Sequence, residues 1–385
     1  MVQYNFPTVV LFGENSVAEI PKRLNELNLK SCMLVTDSGL ISAGLVDFFK
    51  FVFEDTSIKI NVFSEVHANP LEEDVVNGVN FYKIYNCDCI IALGGGSPMD
   101  VAKTVRFMAV HDFPLDQYDD ALGGDKLIIN PLPPLFAIPT TAGTGSEVGR
   151  SSVITLKSTG KKTIFFHPDL TPDIAILDPN FTLGLPPHIT SATGVDAFTH
   201  CYEAFIVDSF HPMADAIAIK GMELVLENLP LVLKNGNDIT ARGKMLLSAT
   251  MGATAFQKGL GMTHSMAHPM SAEFGTHHGL ANALCLSACV QQTLEKSKEI
   301  PSLDKKLNII AKLFHSTATA EELPKLIQEF IVSLGIKLGL QYHNISKSNI
   351  EKLSELALID SCHQTHPYTV NKSDFINCFM ESFVE

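Results

Sequence analysis

Short apolar runs without polar alternation recur through the first half of the chain: Thr8–Phe12, Cys32–Thr36, Cys89–Leu93, Leu135–Ile138 and Ile174–Leu177. Strands buried on both faces of a parallel sheet read this way. Between them lie helix-like stretches such as Pro21–Leu27, which opens on a tolerated first-turn proline, and Pro98–Val110. This rhythm predicts a doubly wound, Rossmann-like α/β domain.

After about Pro186 the strand signal disappears. Leu323, Leu326, Ile327, Phe330, Ile331 and Leu334 fall on one helical stripe that Gly335 stops, with Pro324 harmless in the first turn. Met213–Leu229 and Ala241–Ala255 also read as helices, and the small-residue run Gly279–Val290 as a buried one. The second half is therefore expected to be all-helical. The segment Leu183-Gly184-Leu185-Pro186-Pro187 marks the boundary, giving domains 1–185 and 186–385. No internal repeat or low-complexity region interrupts either half.

Composition narrows the function. A chain of 385 residues with 46% apolar content can bury two cores. Net charge is −14 and no Lys/Arg cluster stands out, so the electrostatic footprint of a nucleic-acid binder is absent. The start, Met1 to Pro7, has no basic region or apolar run of a signal peptide, and no apolar stretch reaches membrane-spanning length. The eight cysteines include no CxxC pair and are expected to be reduced, as in a cytoplasmic protein.

Two turns carry candidate phosphate chemistry. Gly94-Gly95-Gly96-Ser97-Pro98-Met99-Asp100 directly follows the strand Cys89–Leu93. Its glycines allow close backbone approach, Ser97 can cap the next helix, and that helix's N–H groups would face a diphosphate. The pattern is not GxGxxG, and three glycines also make an ordinary tight turn. Pro139-Thr140-Thr141-Ala142-Gly143-Thr144-Gly145-Ser146-Glu147 follows the strand Leu135–Ile138 and is expected to open a helix. Thr140, Thr141 and Thr144 can donate to phosphate, ribose or carboxamide oxygens, or simply cap a helix. Two such turns on one sheet favour a shared dinucleotide crevice. Asp37, ending Cys32–Thr36, can accept from ribose hydroxyls and would repel a 2′-phosphate, which favours NAD over NADP; Asp before Ser-Gly is also a common turn former.

Fourteen histidines are scattered along the chain, yet four fall between 264 and 278. Asp196 and His200 are four apart, as are His264 and His268, so a helix puts each pair on one face. An isolated pair of this kind is usually a surface or capping pair. Here Val195, Ala197, Phe198, Met266 and Ala267 flank them, which predicts burial, and a divalent cation would satisfy several buried polar groups at once. Imidazoles with a carboxylate suit Fe(II) or Zn(II) and are poor for Mg or Ca.

These motifs, with Ala192-Thr193-Gly194-Val195-Asp196-Ala197-Phe198-Thr199-His200 and His264-Ser265-Met266-Ala267-His268-Pro269, resemble the signatures of iron-containing (group III) alcohol dehydrogenases over nearly the whole chain. The resemblance implies a dehydroquinate-synthase-like architecture and a metal on Asp196, His200, His264 and His278. It implies a cofactor lying over Gly95, Gly96, Ser97 and Asp100, with Thr140, Thr141 and Thr144 alongside and Lys162 in contact. His268 matches a histidine near the nicotinamide and substrate, whereas His277 matches no assigned position. Three departures bear on the substrate: a shortened Ala255–Gly261 stretch, Ser151, and His366-Pro367-Tyr368 where the family often has Asn-Pro-Arg.

The implied reaction interconverts a primary alcohol and its aldehyde by hydride transfer to NAD, or NADP, with the metal as Lewis acid on the substrate oxygen. His268 either relays the proton or only shapes the pocket. Two rivals remain. A dehydroquinate-synthase-like lyase would need basic side chains for a phosphorylated substrate, and the metal half offers mainly Lys220, Arg242, Lys244 and Lys258. A non-catalytic metal- or nucleotide-binding protein would show cofactor binding without turnover. The strand Thr8–Phe12 can pair across a homodimer or serve as a sheet edge within one chain.

Overall fold

The computed structural model describes Phe6 and Thr8–Phe383. Eight strands form: β1 Val9–Phe12, β2 Ser31–Val35, β3 Lys59–Phe63, β4 Cys89–Gly94, β5 Leu135–Pro139, β6 Ser151–Thr155, β7 Lys162–Phe166 and β8 Ile174–Leu177. Six make one sheet in the order β1-β8-β5-β4-β2-β3, and every neighbouring pair is parallel. All five strands expected from the apolar runs lie in it. The runs in β4 and β5 are buried at every residue, as two-sided burial requires.

Residues of the central strands alternate between two apolar cores. Met33, Val35, Ile90, Ala92, Leu135 and Ala137 join one. Cys32, Leu34, Cys89, Ile91, Phe136 and Ile138 join the other. Helices cover both faces: α1 Ile20–Glu26, α2 Ser38–Ser42, α3 Leu45–Phe51, α4 Glu72–Ile84 and α5 Gly96–Met108. The anticipated Rossmann-like arrangement is therefore present.

Three local expectations need correction. β3 and the antiparallel hairpin β6–β7 were not anticipated. The hairpin buries only every second residue, a pattern unlike the continuous apolar runs. Ser97 does not cap α5: Gly95 holds that position, and the Ser97 hydroxyl donates to Ala68 O at 2.8 Å. The threonine-rich turn opens only the short 3-10 turn Ser146–Val148 rather than a helix.

From Leu185 onward the described chain clusters as a separate compact unit, which also takes in Ala142–Thr144; the α/β unit holds the rest up to Gly184. The second unit is built of α6 Pro187–Ile206, α7 Pro212–Lys234, α8 Ile239–Ala255, α9 Met262–Phe274, α10 His278–Ser297, α11 Pro301–Phe314, α12 Leu323–Ser333, α13 Ile350–Ile359 and α14 Lys372–Glu381. No strand occurs there among the described residues. α12 buries Leu323, Ile327 and Ile331, the centre of the stripe read from sequence. α7 runs past its expected end, straight through Pro230. None of these helices, nor any other described, is long and apolar enough to cross a membrane.

α6 is buried almost throughout, so the carbonyls at its C-terminus need donors. Lys258 Nζ donates to Phe205 O at 3.2 Å and pairs with Asp215 at 2.5 Å. Lys306 Nζ donates to Val207 O at 2.7 Å, its pKa lowered to about 8 by burial and by Lys258. Two cations at a helix C-terminus also offset its dipole.

In the α/β unit, buried Arg106 on α5 acts as a staple. Its guanidinium donates to Pro133 O at 2.6 Å, Asp169 O at 2.7 Å, Thr171 O at 3.0 Å and the Asp173 carboxylate at 2.7 Å. Removing it strands three carbonyls where β5 and β8 begin. Arg106→Met is expected to cost about 3 kcal/mol in guanidinium denaturation. A loss below about 1 kcal/mol would show that those carbonyls find other donors.

Candidate metal centre and dinucleotide turns

Asp196 and His200 stand one turn apart on α6, His264 lies in the first turn of α9, and His278 begins α10. Their ligand-capable atoms all lie within 4.8 Å of one another. Asp196 Oδ1 is 3.5 Å from His278 Nε2 and 3.9 Å from His264 Nε2. Donor atoms tetrahedrally placed around a cation at ~2.1 Å would be roughly 3.4 Å apart, so the spacing suits a small divalent ion. The rings of His200 and His264 stack with centroids 4.5 Å apart.

The helices reach this spacing because small residues let them close. A Cβ on Gly279 would lie 2.3 Å from Ala192 O and 3.1 Å from Asp196 Cβ, so α10 packs directly on the α6 backbone beside the site. On the other side, a Cβ on Gly252 of α8 would lie 3.0 Å from His200 Cβ.

Two residues that sequence reasoning did not single out complete the cage. Glu203, fully buried, meets His264 Nδ1 at 2.6 Å and accepts from the Gly261 and Thr263 amides at 3.0 and 2.7 Å. It thus caps α9 and holds the His264 ring at the same time. Asp196, His200 and Glu203 lie at i, i+4 and i+7 on one face of α6, a signal present in the sequence. Asn282, one turn after His278, donates to Asp196 Oδ1 at 2.7 Å. The same amide nitrogen lies 3.3 Å from His264 Nε2 and 3.4 Å from His278 Nε2.

Electrostatics favour a cation here. Burial pushes His200 down to about 4 and His278 to about 3, against the pull of Asp196, so both rings are neutral near pH 7 with lone pairs available. Burial also works against charge on His264, but the Glu203 carboxylate outweighs it and raises that pKa. Asp196 and Glu203 would be raised by burial alone; the surrounding imidazoles and N–H donors hold both low. The buried Asp196 carboxylate and the converging imidazole nitrogens leave more acceptors than the Asn282 amide can serve. A divalent ion meets that excess, and the donor set fits one.

His268 lies one turn beyond His264 but outside the cage. Its ring stacks on His278, with centroids 5.3 Å apart and planes 22° apart, and Nδ1 meets Asp360 at 2.7 Å. With 39% of its side chain exposed, it reaches solvent from beside the buried ligands.

In the α/β unit Asp37, Gly95, Gly96, Ser97, Thr140 and Thr141 follow the C-terminal ends of β2, β4 and β5, whereas Lys162 opens β7 of the hairpin. The sheet order reverses between β2 and β4, which is where such folds hold ligands. Gly94 has φ +157°, and a Cβ there would lie 2.5 Å from Pro98 Cγ, so the turn requires glycine. It leads into α5 with Gly96 and Ser97 in the first turn, where backbone N–H groups have no intrahelical acceptor. Thr140 N donates to Gly94 O at 3.1 Å, and a Cβ on Gly95 would meet Thr141 Oγ1 at 3.3 Å, so the two turns abut. Asp37 caps α2 by accepting from Leu40 N at 3.0 Å, the turn-forming role open to it from sequence. Asp100, in the second turn of α5, is raised to about 6 by burial, with Lys103 and Lys162 pulling it down. Thr144 belongs to the segment that clusters with the helical unit.

Comparison with known proteins bears on the fold and the reaction class. Residues 7–179 match the family described as iron-containing alcohol dehydrogenase, and residues 190–383 match its C-terminal domain. A 4-hydroxybutyrate dehydrogenase of Cupriavidus necator is 34% identical over 367 residues, covering 94% of each chain. A 1,3-propanediol dehydrogenase of Klebsiella pneumoniae is 32% identical, covering 100% of this chain and 99% of that one. A solved 1,3-propanediol oxidoreductase superposes with a TM-score of 0.93 at 31% identity, covering 100% of both chains. With both halves matched and relatives of this length and identity, the chain belongs to the iron-containing alcohol dehydrogenase family and is an oxidoreductase acting on alcohol groups.

Proposed function

We propose that this chain interconverts a short primary alcohol and its aldehyde with NAD, using Fe(II), or Zn(II), held by Asp196, His200, His264 and His278. The observation that carries the reading is the cage of three imidazoles and one carboxylate, buried except at His278, its His264 ring braced by Glu203. A cation held there would supply Lewis acidity to an alcohol oxygen, and a bound nicotinamide would supply the hydride acceptor.

The chain's own residues do the rest. Glu203 fixes the His264 tautomer, and Asn282 steadies Asp196. Gly95, Gly96, Ser97 and the Thr140-Thr141 turn cradle the diphosphate, with Asp100, Thr144 and Lys162 as further cofactor contacts. Asp37 retains one carboxylate oxygen beyond its capping bond to accept from a ribose hydroxyl, which supports NAD over NADP. His268, between the cage and solvent, relays the proton.

The relatives' names support a substrate class. Both 4-hydroxybutyrate and 1,3-propanediol are short primary alcohols with a second oxygen function at the far end. Lyase chemistry on a phosphorylated substrate fits less well. Lys258 is committed to Asp215 and Phe205 O, Arg242 to Gly236 O, and Lys220 to Glu223. A homodimer through β1 would cover Val9, Val10 and Phe12, all exposed on that edge strand. Eight free cysteines suit a cytoplasmic setting.

Protein stripped of metal and reloaded anaerobically with Fe(II) or Zn(II) is expected to form NADH with short diols and ω-hydroxy acids. His264→Ala should lose both the metal and the turnover. No turnover in either direction, with NAD or NADP, would contradict the proposal. Gly279→Ala should keep its helical circular dichroism but bind metal roughly 10- to 100-fold more weakly, because the new methyl forces α10 off α6. Unchanged affinity by metal titration would show that this close approach does not set the cage.

A further inference from the structure

His268 is gripped through a small network that neither the cage nor the dinucleotide turns require. Its Nδ1 meets Asp360 Oδ2 at 2.7 Å. The other carboxylate oxygen accepts from the Ser265 hydroxyl at 2.8 Å and from the Cys362 amide at 2.9 Å. Ser265 accepts in turn from the His363 amide at 2.9 Å, while the His363 ring lies 3.4 Å from the same hydroxyl. α9 thus supplies His268 and Ser265, and the C-terminal end of α13 supplies Asp360. Burial would raise the Asp360 carboxyl, but His268, the Cys362 amide and Ser265 together hold it well below the usual carboxylate range. A carboxylate oxygen at 2.7 Å accepts, so Nδ1 carries a hydrogen and Nε2, on the other side of the ring, is turned away from Asp360.

We propose that Asp360, itself anchored by Ser265, is the positioning residue for proton transfer, fixing the tautomer and ring plane of His268 so that only Nε2 can receive the hydroxyl proton. This rests on the dehydrogenase reading, with His268 as relay. In the oxidation direction the substrate O–H breaks and an Nε2–H forms, while the C–H electron pair leaves as hydride to the nicotinamide and the carbonyl closes. Stacking on His278 sets the face of the ring, and Asp360 sets its rotation. An Asn in place of Asp360 can offer its amide hydrogens instead of an oxygen and so hold the opposite tautomer.

The test is Asp360→Asn in the metal-loaded enzyme. The kcat should fall roughly 10- to 100-fold, with the KM for NAD and the metal content per chain unchanged. Asp360→Glu should recover most of the rate. Ser265→Ala, a milder change, should show the same pattern with a smaller loss. Nitrogen NMR of 15N-histidine-labelled, zinc-loaded protein, with His268 assigned by His268→Gln, should show the Nδ1–H tautomer in the parent chain and its loss in Asp360→Asn. A kcat within about twofold of the parent, a loss that tracks missing metal, or an Nε2–H tautomer in the parent would overturn the proposal. If the parent chain oxidises no alcohol, the dehydrogenase reading fails, while the tautomer measurement still judges the Asp360 grip separately.

Discussion

The candidate centre depends on one close approach: α10 lies directly on the α6 backbone because Gly279 has no side chain. The nearest atom to a Cβ at that position would be Ala192 O, at 2.3 Å, so no other residue fits without moving a helix. That contact brings His278 from the start of α10 against Asp196 on α6, and it carries Asn282 to the same carboxylate. The remaining wall, α9, is tied to α6 by Glu203, which caps the α9 N-terminus and braces His264. Backbone packing, rather than side-chain reach, therefore sets the cage dimensions.

Charge explains why such a cage exists at all. Asp196 and Glu203 are both buried, and both are held ionised by neighbouring imidazoles and N–H donors. A buried pair of carboxylates is costly without compensating positive charge. Burial keeps His200 and His278 neutral, so among the three rings only His264, its pKa raised by Glu203, supplies part of it. A divalent cation in the cage would supply the rest. The polar interior of α6 is thus a stability cost that a bound cation would offset, a common compromise at functional centres.

Much of this was legible in the sequence where the physics is local. Buried parallel strands appear as unbroken apolar runs, so five of the six in the main sheet could be located. The helical spacing of Asp196 with His200 put two candidate ligands on one face, and Glu203 at i+7 continued the same signal. The hairpin β6–β7 was missed because its burial alternates and leaves no apolar run. Ser97 looked like a cap from its position, but the backbone turns one residue pair earlier and leaves its hydroxyl to Ala68. Asp360 was not foreseeable: 92 residues separate it from His268, and only tertiary packing joins them. The family motifs supplied His278 as a ligand, whereas helical spacing alone would equally have offered His268.

The most direct test of the account is a crystal structure of metal-loaded protein with anomalous scattering collected at the iron and zinc absorption edges. A single strong peak bounded by Asp196, His200, His264 and His278 is expected, with Glu203 still on His264 Nδ1. A peak at another cluster, or loaded protein with none and Asn282 alone bridging the three acceptors, would contradict it.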